Sequence, residues 1–227
     1  MPNELLISIA ILGGTGKEGK GLAFRWAKAG YKIIIGSRDV QKAIAAADDL
    51  KALLAGVHTP YATVNGTDNL SAAEQADIVV LTVPYIAHRA TLESVKGALT
   101  GKILIDVTVP LVPPKVSKVQ MPPAGSAAQE AREILGEAVE VVDAFQSVSF
   151  EHLMGDNPID CDVLVTGTSK NARAEVLKLV DAAGLTGWDA GPLENSAVVE
   201  GLTSLLIYIN REYGSTHAGI KITGVSK

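Results

Sequence analysis

The sequence predicts an α/β protein built on a doubly wound, mostly parallel sheet, with a small C-terminal helical extension. Three observations carry that prediction. Short β-branched runs alternate with segments of helical periodicity, which implies right-handed crossovers and a sheet covered on both faces. Five glycines crowd the eleven positions of "ILGGTGKEGKG", directly after the first apolar run. At 227 residues, 47% of them hydrophobic, the chain is long enough to bury most of its apolar surface.

The first strand is expected over Leu5 to Leu12, an apolar run that stops at Gly13. Helical spacing over Gly19 to Ala29 leads to a second strand, Tyr31 to Gly36, and to a second helix, Val40 to Leu54, which Asp39 is placed to cap. Further strands are expected over Val57 to Val64, Ile78 to Val83, Ile103 to Val107, Glu140 to Asp143 and Asp162 to Thr166, with a helix over Ala87 to Leu99. Residues 109–125, "VPLVPPKVSKVQMPPAG", hold five of the ten prolines. They read as a long loop after a strand's carboxyl end, either a rigid connector or a ligand-facing loop. Ser126 is placed to cap a helix in "SAAQEAREILGE". The last helix, within "GPLENSAVVEGLTSLLIYINREYG", is apolar around too much of its circumference for an isolated surface helix. It is expected to pack on the body or on a partner subunit, which suggests a homodimer. Residues 1–190 are thus expected to form a nucleotide-binding domain with its acceptor-site loops, and 191–227 a C-terminal helical segment.

Composition narrows the partners. The net charge of -5, without a clustered basic stripe, disfavours nucleic acid and anionic membrane surfaces. No apolar run approaches the ~20 residues that span a bilayer. The single cysteine, Cys161, excludes an internal disulfide and suits a reducing compartment. Glu4 stands where a signal peptide carries positive charge, so a cytoplasmic protein is expected. The four histidines are scattered without ligand spacing, and no metal is expected. Small molecules are the expected partners.

Gly14, Gly16 and Gly19 spell G-x-G-x-x-G between a strand and a helix, the context that a dinucleotide fingerprint requires. The first glycine permits the tight turn, the second lets backbone approach a pyrophosphate, and the third lets helix and strand pack closely. The helix N-terminus supplies N–H groups and partial positive charge. The protein is therefore expected to be of the Rossmann type. An NAD site usually ends the second strand with Asp or Glu. Here that strand ends "IIIGSRDVQK", and Ser37, Arg38 and Lys42 offer a hydroxyl and two cations suited to a 2'-phosphate. NADP is preferred to NAD. Asp106, Asp143 and Asp189 close or follow apolar strands, where ligand, turn and capping duties all remain open. No dominant acid or base stands out, which suits hydride exchange between two stacked ring cofactors.

The blocks "LGGTGKEGKGLAFRWAKAGYKIIIGSRDVQKA", "VVLTVPYIAH", "VVDAFQSVSFEHL", "DCDVLVTG", "DAGPLENSAVVEGLTSLLIYIN" and "HAGIKITG" resemble, over nearly the whole chain, the NADPH-dependent reductases of coenzyme F-420 (F420), also called F420-dependent NADP oxidoreductases. The resemblance implies that Thr15, Gly16, Lys17 and Glu18 form the pyrophosphate loop and that Ser37, Arg38 and Lys42 hold the 2'-phosphate. It implies further that "VPY", Val83 to Tyr85, lies along the cofactor, with Phe150 near the nicotinamide and Gln146 and Val148 lining the deazaflavin pocket. The expected activity is reversible hydride transfer between NADP(H) and F420. A reductase of another acceptor, such as a flavin, a ferric or a small carbonyl compound, and a non-catalytic NADP(H) sensor are the alternatives.

Overall fold

A computed structural model describes residues 7–55, 63–155 and 157–225. Strand β1 (Ser8–Leu12) leads through the glycine loop into helix α1 (Lys17–Lys28), followed by β2 (Lys32–Ser37) and α2 (Val40–Leu54). Next come β3 (Val64–Asp68), α3 (Asn69–Gln75), β4 (Ile78–Leu81), α4 (Tyr85–Val95) and β5 (Ile103–Asp106). The proline-rich loop follows, then α5 (Ala127–Leu135), β6 (Glu140–Asp143), α6 (Phe150–Leu153), β7 (Asp162–Gly167), α7 (Lys170–Ala182), β8 (Thr186–Pro192) and α8 (Ser196–Tyr213).

The strands form one eight-stranded sheet in the order β3-β2-β1-β4-β5-β6-β7-β8. All neighbours run parallel except β6 and β7. Strand alternation sorts the apolar side chains onto two faces. Ile9 and Ile11 join Ile33 and Ile35 in a core with Trp26, Ala43 and Val176. Ala10, Leu12 and Ile34 join Leu81, Leu92 and Ala128 on the other face. Burial of each large side chain contributes about 1.5–3 kcal/mol. The two faces are thus covered independently, and the strand ends at the middle of the sheet are left to carry function.

Local signals placed several elements correctly. Asp39 caps α2, its Oδ1 accepting from the N–H groups of Gln41 and Lys42 at 3.1 and 3.3 Å. Ser126 caps α5 by accepting from Gln129 N–H at 2.9 Å. The strand expected over Val57 to Val64 needs correction: residues 57–62 lie outside the described residues, and β3 begins where that strand was to end. The sequence of β3, "VNGTD", reads as a turn, but its glycine has a packing cause. A Cβ at Gly66 would stand 2.3 Å from the backbone of Ala43 in α2, so helix and strand meet here only without a side chain. Strand β8 was missed because "TGWDAGP" lacks an apolar run.

Helix α8 lies against the body through polar contacts as well as apolar ones. The buried Glu200 carboxylate accepts the N–H groups of Ala127 and Ala128 at 2.7 and 3.0 Å, adding to the capping of α5. Thr203 Oγ1 donates to the Gln146 carbonyl at 2.9 Å. After α8 the tail crosses β7, where Asp162 N–H donates to the Ile220 carbonyl at 2.9 Å and Gly219 covers Cys161, leaving no room for a Cβ.

Candidate active site

The strand order reverses between β2-β1 and β4-β5, and the crevice at the carboxyl ends of β1 and β4 is where an open α/β sheet receives its ligand. The glycine loop lies there. Gly14 N–H donates to the carbonyls of Ile11 and Gly36, both at 3.1 Å, tying the loop to β1 and β2. A Cβ at Gly14 would meet the Ile11 carbonyl at 2.7 Å, and one at Gly19 would meet Thr82 Oγ1 at 2.7 Å and Gly14 Cα at 2.8 Å. Gly16 differs: a Cβ there meets only the Gly13 carbonyl at 3.5 Å, an ordinary contact. Gly14 and Gly19 are thus required by packing, whereas Gly16 leaves the backbone open toward the crevice. No side chain caps the N-terminus of α1.

A cleft of ≈ 190 Å³ joins this loop to the end of β2. Of the predicted residues, Thr15, Gly16, Ser37, Arg38 and Val83 line it, so the structure brings these into one hollow, with Gly13 beside them. Pro84, within the run 83–85, also lines it, as do Asn69, Thr82, Ala87 and Thr91, which sequence reasoning missed. A wider hollow of ≈ 410 Å³ between α2 and β3 includes none of the predicted site residues. Ser37 is buried and its Oγ accepts from Asp39 N–H at 3.2 Å, whereas Arg38 is exposed. Lys42 stands outside the cleft lining, its Nζ 3.8 Å from Asp39 Oδ2. Asn69 explains Gly36, because a Cβ at Gly36 would lie 2.9 Å from Asn69 Oδ1.

Glu18, in the first turn of α1, has its Oε1 sealed from solvent without a hydrogen-bond partner among the described residues. Burial pushes its carboxyl up to about 8, so at neutral pH it adds no negative charge beside the glycine loop. Tyr85 opens α4 and donates its hydroxyl to Glu130 Oε2 at 2.9 Å. Burial and that carboxylate push the phenol up to about 12.

Gln146, Val148 and Phe150 follow β6, over a hundred positions from the glycine loop in sequence, and the fold sets Phe150 beside that loop. Lys17 Nζ lies 4.7 Å above the Phe150 ring. Gln146 and Val148 are buried in the same loop. Phe145 turns the chain there with φ at 77°, a left-handed conformation that a non-glycine residue holds only under constraint. Its ring packs edge-on against Trp26, with centroids 5.7 Å apart.

Buried charge ties α4 to the sheet. His88 on α4 sets Nε2 2.7 Å from Asp106 Oδ2 at the end of β5. Burial opposes its protonation, but the Asp106 and Glu130 carboxylates outweigh that effect and hold the imidazole above its ordinary range. Neither His88 nor Glu200 was singled out for a role from the sequence. A lone acid within the apolar run "SAVVEGLTSLLIYIN" was the available signal for Glu200.

The switch-point crevice, its glycine loop and its arginine-edged cleft define a Rossmann-type nucleotide-binding oxidoreductase. Residues 8–110 match the family model described as NADP oxidoreductase, coenzyme F420-dependent. The chain is 41% identical over 226 residues to the F420-dependent NADP reductase of Methanocaldococcus jannaschii, covering 96% of this chain and 99% of that protein. It is 39% identical over 236 residues to the F420-dependent NADP reductase of Methanothermobacter marburgensis, with the same coverage of 96% and 99%. A solved structure from Arthrobacter sp. FB24, provisionally assigned as an F420-dependent NADP reductase, shares the fold with TM-score 0.77 and 24% identity, covering 96% of this chain and 100% of that one. The chain belongs to the F420-dependent NADP reductase family.

Proposed function

We propose that this chain transfers a hydride reversibly between NADP(H) and F420. The observation that carries the reading is identity of 37–41% over nearly the whole chain to relatives bearing that name, joined to a cleft in which the glycine loop faces Ser37 and Arg38. When bound, NADPH would supply a hydride from C4 of its nicotinamide to C5 of the deazaflavin, leaving NADP+, with one proton taken up to complete the reduced ring.

The chain's own part is binding, orientation and exclusion of water. In this reading Gly14, Thr15, Gly16, Lys17, Glu18 and Gly19 form the pyrophosphate seat. Ser37 and Arg38 select the 2'-phosphate, and Lys42 reaches it only by leaving Asp39. Val83 and Tyr85 flank the dinucleotide, Phe150 meets the nicotinamide, and Gln146 and Val148 line the ring pocket. The chain divides into a nucleotide-binding body over 1–190 and a C-terminal helical segment over 191–227. The test is the absorbance of oxidised F420 after mixing with the protein and NADPH, then NADH. Decay with NADPH and far slower decay with NADH is expected. Tight NADPH binding without decay would overturn the acceptor.

A homodimer is part of the same reading. On α8, Val198, Leu205 and Ile209 are 69%, 51% and 41% exposed and recur at helical spacing, leaving an apolar stripe on the side away from Glu200. Light scattering is expected to give twice 23.6 kDa. A monomer mass at micromolar concentration would refute the dimer and leave the hydride reading standing. No helix among the described residues is long and apolar enough to cross a membrane. Action in the cytoplasm, on small molecules rather than nucleic acid, completes the proposal.

A further inference from the structure

Three carboxylates lie buried together beneath the acceptor-side loop: Asp106 at the end of β5, Asp143 at the end of β6 and Glu200 from α8. Two have evident duties. Asp106 pairs with His88 and its Oδ1 accepts from Thr108 N–H at 3.0 Å, while Glu200 receives the first N–H groups of α5. Asp143 instead accepts from Gln146 Nε2 through Oδ1 and from Thr166 Oγ1, at 3.4 Å, through Oδ2.

A carboxamide has two N–H donors and one carbonyl acceptor. Gln146 gives both donors inward, to the Asp106 carbonyl at 2.8 Å and to Asp143 Oδ1. A flipped amide would set its oxygen against two acceptors, so hydrogen-bond chemistry fixes the orientation. Gln146 Oε1 remains buried and without a partner among the described residues, as does the adjacent Ser147 Oγ. The backbone around them is held from several sides: Thr203 binds the Gln146 carbonyl, Cys161 Sγ donates to the Ser147 carbonyl at 3.4 Å, and Phe145 is wedged against Trp26. A rigid turn that keeps a carbonyl oxygen desolvated and unpaired is matched to an incoming donor.

We propose that Asp143 is a positioning residue of the hydride-accepting site: by taking one of the two N–H bonds of Gln146, it leaves that side chain only a carbonyl oxygen to offer, and so favours acceptor rings that carry an N–H on their edge, such as the imide of a pyrimidinedione. The proposal rests on the reading of Gln146 as part of the F420 pocket. Burial, with the Glu200 and Asp106 carboxylates close by, raises the Asp143 carboxyl well above its ordinary range.

The test compares wild type, Asp143→Ala and Asp143→Asn in two measurements: KM and kcat for F420, and the Kd for NADPH by fluorescence. Asp143→Ala is expected to raise the KM for F420 about tenfold, as one lost hydrogen bond to an amide implies, while leaving the Kd for NADPH within about twofold. Asp143→Asn keeps a carbonyl acceptor and is expected to recover most of that loss. An unchanged KM in Asp143→Ala, or an equal weakening of NADPH in both variants, overturns the proposal. Should Asp143→Ala fail to fold, Asp143→Ser, too short to reach Gln146 Nε2, must show the same rise in KM, and a wild-type KM there refutes the anchor. A wild type that ignores F420 overturns the acceptor reading and takes the anchor with it, an outcome distinct from an active wild type matched by Asp143→Ala.

Discussion

Gly16→Val is expected to abolish binding of both NADPH and NADH while the protein stays folded. The backbone at Gly16 has φ −74° and ψ 165°, an extended conformation open to any residue. A Cβ there finds only the Gly13 carbonyl at 3.5 Å, so the fold tolerates the side chain. The ligand does not, because the valine stands where the pyrophosphate must meet backbone N–H groups. Loss of two such charge-assisted bonds, at about 1.5 kcal/mol each, weakens binding about a hundredfold before any steric clash is added. Gly19→Ala is the contrasting control. Its Cβ would press on Thr82 Oγ1 at 2.7 Å and on Gly14 Cα at 2.8 Å, so it is expected to lower the melting temperature as well. Titration calorimetry with both dinucleotides, beside thermal melts, separates the two cases. Wild-type affinity in Gly16→Val would refute the placement of the pyrophosphate.

Arg38→Ala is expected to weaken NADPH by about 1.5–3 kcal/mol, roughly ten- to a hundredfold, and to leave NADH almost unchanged. Only NADPH bears the 2'-phosphate, and Arg38 is the cation that the structure sets in the cleft with Ser37. The side chain is exposed, so the difference shrinks at high salt as phosphate and guanidinium are screened. Lys42→Ala is expected to do less, since Lys42 lies outside the cleft and beside Asp39. Equal losses for NADPH and NADH in Arg38→Ala would contradict the assignment of the 2'-phosphate.

The clustering of the glycine loop with Ser37 and Arg38 was legible because its determinants are local. A glycine loop, the strand before it and the residues ending the next strand lie within about thirty positions, and each speaks through backbone conformation or charge. The assignment of an acceptor side rests on resemblance alone. Nothing in the spacing of "DAFQSVSF" foretells that Phe145 adopts a left-handed turn, that Trp26 holds it there, or that Asp106 and Asp143 lock the Gln146 amide. The contacts with Trp26 and Asp106 join residues far apart in sequence, and the bond to Asp143, three positions away, depends on the turn that they hold. Strand β3 shows the same limit at the level of the fold. Gly66 reads as a turn signal until the approach of α2 is known, and then it is the residue that permits the contact. Asn69 was hidden for the opposite reason, since Asp68 before it carries the visible helix-capping signal.

The central claim is direct hydride transfer between two rings held by this chain. Incubation of the protein and oxidised F420 with NADPH carrying deuterium at either face of C4, followed by mass spectrometry of the reduced F420, tests it most directly. One labelled face, and not the other, is expected to deliver its deuterium to C5 of the deazaflavin. Reduced F420 that forms from both labelled substrates with hydrogen alone at C5 would contradict direct transfer and would require an intermediate carrier that exchanges with water.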